Sequence, residues 1–74
     1  MADRTLDLKG LACPLPILKT KKALTELPKG GKLEVFTTDP GSIPDFQAFS
    51  EATGNKILEQ TEAKGVFRFV LEHA

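Results

Sequence analysis

Glycine and proline constrain this chain more than any other feature. They fall at Gly10, Pro14, Pro16, Pro28, Gly30, Gly31, Pro40, Gly41, Gly54 and Gly65, among other places. Six patterned stretches lie between these breaks, each long enough for one strand or one helix and no more. Thr5 to Lys9 alternates, with Leu6 and Leu8 on one side and Asp7 on the other. That pattern predicts a short strand, broken by Gly10. Leu11 to Pro16 then leads into a helix. Ile17, Thr20, Leu24 and Leu27 form one stripe at helical spacing, with Ala23 beside it, while Lys19, Lys22 and Glu26 face elsewhere. Pro28 is the expected stop, and Lys29-Gly30-Gly31 the turn.

Lys32 to Thr38 is rich in branched and aromatic residues and predicts a second strand. Asp39-Pro40-Gly41 ends it. Ser42 and Asp45 have the spacing of a capping box, so Ser42 is expected as the N-cap of a second helix through Phe46, Phe49 and Ala52. Gly54 is its expected stop. Lys56 to Thr61 reads as a weak third strand, and Val66 to Glu72 as a stronger fourth. Phe67, Phe69 and Leu71 point one way along it, and Val66, Arg68 and Val70 the other. Ala63-Lys64-Gly65 joins the two as a hairpin. Strand, helix and strand with short links make a right-handed parallel crossover. The fold class expected is therefore α+β: a two-layer βαβαββ sandwich with two helices packed on one face of a four-stranded mixed sheet. Arg68 and Glu34 belong on the other face. The phenylalanines at 36, 46, 49, 67 and 69 are spaced as core.

At 74 residues the chain is expected to be one domain. A chain this short buries only about 60% of its unfolded surface, which leaves little interior for a deep pocket or a large cofactor. None is expected. Its formal net charge is zero and it has no tryptophan or tyrosine, so direct nucleic-acid binding is not expected. No stretch approaches a membrane span or a secretory leader. A single cysteine excludes an internal disulfide and a closed cysteine-based zinc site. A free thiol suits a reducing compartment, so a cytoplasmic location is expected.

That cysteine, Cys13, holds the local chemistry. It falls between the first strand and the first helix, with Pro14 placed for the first helical position and Pro16 inside the first turn. A thiol at the N-cap of a helix meets the positive end of the dipole, which favours the thiolate. Ligand sites in α/β folds also gather at the carboxyl ends of strands. The plainer reading is a buried, inert cysteine; Cys-Pro-x-Pro at a strand-to-helix turn argues against it. Acyl transfer would need a base, and the only histidine is His73, one residue from the end, where fraying is expected. Dithiol chemistry would need a second cysteine. Sulfur transfer needs only the thiolate, which attacks the outer sulfur of a donor persulfide.

Gly10-Leu11-x-Cys13-Pro14-x-Pro16, preceded by Leu6-Asp7 and followed by a lysine-bearing helix, resembles the TusA/SirA/YedF family of small sulfur-transfer proteins. The resemblance continues through Thr38-Asp39-Pro40 and Asp45 to the last two strands. It implies the same βαβαββ sandwich. It also implies a persulfide on Cys13, received from a cysteine desulfurase or rhodanese-like donor and passed to a downstream acceptor protein. The pathways served across the family include tRNA thiolation, molybdenum-cofactor synthesis and sulfur oxidation. Two positions depart from the pattern. Leu15 stands between the prolines where many members carry glutamate, giving the sulfur an apolar rim. Phe49-Ser50 stands where some members carry a second cysteine, so no relay within the chain is possible.

Asp39, Pro40 and Asp45 follow the second strand, at the sheet edge where Cys13 is expected. They would shape the site, or serve only as turn and cap residues. Lys19, Lys21 and Lys22, with Lys9 nearby, form a basic patch: a solvated helix face, or a docking surface for acidic partners. A carrier that docks with several enzymes is expected to be a monomer. The competing function is a non-catalytic regulatory or interaction module whose cysteine is structural or redox-sensing.

Overall fold

The structure is a computed structural model and describes residues 2–12 and 14–74. Six elements follow in the order β1 (Arg4–Leu8), α1 (Leu15–Thr25), β2 (Lys32–Thr37), α2 (Ser42–Thr53), β3 (Lys56–Ala63) and β4 (Val66–Glu72). The strands form one mixed sheet in the order β1-β2-β4-β3. β1 runs parallel to β2, and β4 runs antiparallel to both β2 and β3. Both helices cover one face of it, as the sequence predicts.

Period-two burial makes β2 the centre of the sheet. Leu33, Val35 and Thr37 are buried, while Lys32, Glu34 and Phe36 are partly exposed. The core unites Leu33 and Val35 with Leu8 of β1, Phe69 and Leu71 of β4, Ala23 and Leu24 of α1, and Phe46 and Phe49 of α2. Phe46 stacks on Phe69 with ring centroids 4.4 Å apart and planes at 16°. Burying each large apolar side chain contributes about 1.5–3 kcal/mol. Phe36 corrects the sequence reading: alternation puts it on the open face, outside the core.

The open face carries a polar row that crosses all four strands. Thr5 of β1 donates to Glu34 of β2 (3.1 Å); Arg68 of β4 donates to Glu34 through Nε and to Glu59 of β3 through a terminal nitrogen (3.0 Å). The hydrogen bond from Arg68 holds the Glu34 carboxyl below its ordinary 4.5, against the opposing effect of burial.

Several boundaries differ from the sequence reading: β3 runs on to Ala63 rather than ending at Thr61, and both helices start or stop elsewhere. α1 ends at Thr25, short of Pro28. The residue before a proline is biased away from the α region, which disfavours carrying the helix through Leu27. The chain tightens instead, with Glu26 N–H donating to Ala23 O (3.1 Å) and Leu27 N–H to Leu24 O (3.0 Å). α1 begins with Pro14 as its N-cap and Pro16 inside the first turn. The cap expected at Cys13 is thus at Pro14, which is not the first helical residue; its carbonyl takes the first helical bond, from Leu18 N–H at 3.1 Å. α2 has Gly41, not Ser42, at its N-cap, and no capping box forms.

The α1–β2 turn gathers both ends of the chain. Asp3 N–H donates to Lys32 O (2.8 Å), and Lys32 N–H to Asp3 Oδ2 (2.8 Å). Gly30 N–H donates to His73 O (2.9 Å), and His73 N–H to Gly31 O (2.8 Å). Ala74 N–H donates to Asn55 Oδ1 (2.8 Å). The C-terminus is therefore pinned, contrary to the fraying expected. No helix among the described residues is long and apolar enough to cross a membrane.

Candidate functional site

The parallel crossover brings the ends of β1 and β2 to one pole of the molecule, where α1 and α2 begin. Gly10 takes a left-handed conformation there, φ 85°, which favours a residue without Cβ. Its N–H donates to Thr38 Oγ1 at 2.9 Å, tying the β1–α1 turn to the end of β2. Leu11 N–H closes the turn onto Leu8 O at 3.2 Å. Both links lie just before Cys13, which itself is outside the described residues.

Asp39 organises the opposite wall. Its Oδ1 accepts from Gly41 N–H at 3.1 Å, and its carbonyl accepts from Ser42 N–H at 2.9 Å. This Asx turn starts α2 and replaces the expected capping box. Pro40 is exposed at the turn. Asp45 is half-buried in the first turn of α2, where its carboxylate suits the dipole. Its N–H donates to Gly41 O at 3.2 Å.

Between the helices runs a shallow groove of about 370 Å³, lined by Pro14, Ile17, Asp45, Ala48, Phe49 and Ala52. It joins two of the expected site residues, Pro14 and Asp45, on one surface. Apart from Asp45 its wall is apolar, and the first turn of α1 carries no acid. No negative charge in that turn opposes an anion at the helix start.

The basic patch divides. Lys19 and Lys22 line a separate cleft beside β1, while Lys21 is exposed elsewhere on α1. Leu15 and Leu18 stand 45% and 55% exposed on the same helix. Leu15 is thus an exposed apolar residue between the two prolines. Leu18 escaped the sequence reading, though it falls off the Ile17–Thr20–Leu24 stripe, three residues from Leu15, and that offset was its signal. His73 lies beside the start of β2, at the far pole from Gly10 and Thr38. It offers no base to the groove.

The family profile "Sulfurtransferase TusA" matches residues 4–73. The chain belongs to the TusA family. Within it, the chain is 49% identical to the sulfur carrier protein TusA of Allochromatium vinosum, across 95% of this chain and 92% of that one. The fold agrees as well. The crystal structure of a SirA-like protein from Desulfitobacterium hafniense superposes with a TM-score of 0.82 at 31% identity, covering 93% of this chain and 95% of that one. The TusA-family sandwich thus accounts for the crossover, the hairpin and the common pole of the two helix starts.

Proposed function

We propose that this protein carries sulfane sulfur as a persulfide on Cys13 and hands it to an acceptor protein. The observation that carries the reading is the near-full-length match to sulfur carriers in a chain whose only thiol lies in the Cys-Pro-x-Pro turn. The surroundings support it. A helix start without acids favours a thiolate, the turn is braced by Gly10 and Thr38, and the adjoining groove and leucines offer an apolar landing surface.

The chemistry balances within two thiols. The Cys13 thiolate attacks the outer sulfur of a donor persulfide, such as one on a cysteine desulfurase or a rhodanese-like protein. A new S–S bond forms at Cys13, the donor S–S bond breaks, and the donor leaves as a thiolate. No net oxidation occurs, and no base or metal is required. The same exchange in reverse roles delivers the sulfur to an acceptor thiolate. Gly10, Pro14, Pro16, Asp39, Pro40 and Asp45 act by shape: they fix the two turns and the groove. The carrier works as a cytoplasmic monomer in this reading.

Intact-mass measurement after incubation with a cysteine desulfurase and free cysteine tests it. The expected result is a gain of one sulfur atom, reversed by reductant and absent in Cys13→Ser. A reactive thiol that gains no sulfur from any protein donor would sink the proposal and favour a redox-sensing or interaction module.

A further inference from the structure

The two edges of the sheet differ. β3 forms one edge and is interrupted by a register shift between Ile57 and Glu59; its exposed acids include Glu59 and Glu62. A bulge and like charges are common devices for keeping other strands away. β1 forms the other edge. It pairs with β2 in unbroken register from Arg4 to Leu8 and contains no proline. An edge strand presents unpaired N–H and C=O groups, and β1, though short, has neither a bulge nor a proline to blunt them.

A cleft of about 370 Å³ lies along this edge. Leu6 and Leu8 reach it from one face of the strand and Asp7 from the other, so it follows the strand's open side. Leu11 and Ala23 extend its apolar wall, and Lys19 and Lys22 stand on its rim. The strand's own charges are occupied: Arg4 pairs with Glu26, and Lys9 with Asp7 at 3.9 Å. Lys19 and Lys22 form no ion pair with a described carboxylate.

We propose that the β1 edge receives an extended acidic segment of a partner protein as a fifth strand. Main-chain hydrogen bonds to β1 would supply the attachment, and alternate side chains the selectivity. Aliphatic side chains of the segment enter the cleft beside Leu6 and Leu11, and its carboxylates meet Lys19 and Lys22. The bulge of β3, with Glu62 exposed beyond it, disfavours the same segment at the other edge. Because Leu11 lies two residues before Cys13, a segment so placed runs toward the thiol's turn. The inference deepens the sulfur-carrier reading by giving a donor or acceptor a place to dock, and it is tested without sulfur.

The test titrates the isotopically labelled protein with the capped peptide Glu-Val-Glu-Val-Glu-Val and follows backbone amide resonances and their hydrogen exchange. Saturable shifts and exchange protection are expected across Arg4–Leu8. Affinity should fall about tenfold in the Lys19→Glu/Lys22→Glu double variant. Both lysines are exposed, and an unchanged remainder of the spectrum verifies the variant's fold. The capped peptide Lys-Val-Lys-Val-Lys-Val should not bind there. The proposal is overturned by no binding, by shifts centred on β3 or the open sheet face, or by equal binding of the two peptides. Concentration-dependent shifts of the same amides without peptide would assign the edge to a second copy and overturn it too. Persulfide loading of Cys13 is read separately by mass, so either idea can fail alone.

Discussion

Single hydroxyls test how well this small core is satisfied. The Oγ atoms of Thr20, Thr37 and Ser42 are buried and have no hydrogen-bond partner among the described residues. A buried hydroxyl without a partner costs about 1–3 kcal/mol. Thr37 is the clearest case, fully buried on a central strand where a β-branched side chain fits well. Thr37→Val keeps the branch and removes the hydroxyl. It should raise stability by about 1 kcal/mol, read as a higher urea midpoint. A lower midpoint would mean that the hydroxyl is bonded in the folded protein. At this scale the sequence was a partial guide. It marked Gly10, Pro14, Asp39 and Asp45, but it could not show that Asp39 takes the Gly41 N–H, because Ser42 and Asp45 match the capping pattern equally well. The donor that Ser42 would have capped, Asp45 N–H, goes to the Gly41 carbonyl instead.

Elements were more legible than residues wherever periodicity was unmixed. β2 follows from its branched and aromatic residues and β4 from its two alternating faces, and Gly54, at φ 79°, ends α2 as expected. The β3–β4 hairpin is equally plain. Lys64 and Gly65 occupy its two-residue turn with φ 53° and 79°, the pair of positive angles that a type I′ turn requires. Lys64 is the only described non-glycine residue with positive φ. Lys64→Asn should therefore gain a few tenths of a kcal/mol, while Gly65→Ala should cost about 1 kcal/mol. Thermal melting of the two variants should shift in opposite directions; shifts of the same sign would contradict the turn assignment. The groove between α1 and α2 was not legible. Ile17, Ala48 and Ala52 meet there only because two helices pack side by side on one sheet, which no local pattern records.

Across the whole molecule, the Thr5–Glu34–Arg68–Glu59 row links stability to pH. Arg68 depresses the Glu34 carboxyl below 4.5, and Arg4 does the same for Glu26. A carboxyl depressed on folding contributes stability that is fully present above its unfolded value. That contribution is lost as pH falls through the folded value. Unfolding midpoints measured between about pH 6 and pH 3 should therefore decline below 4.5. Glu34→Gln should decline less steeply over that window, with the remaining slope including Glu26. Parallel curves for the two proteins would show that the row is energetically silent.

The pinning of both chain ends at the α1–β2 turn has a practical reading. Asp3 is tied to Lys32, and His73 to Gly30 and Gly31, at the pole opposite the start of α1 and the Asp39 turn. Ends held close together on one surface are the usual condition for circular permutation and for domain insertion. A reporter, an affinity handle or a second module grafted at either end would hang away from the Pro14–Asp45 groove. The molecule is thus built like a plug whose lead leaves from the back, free to be tethered while its front stays open.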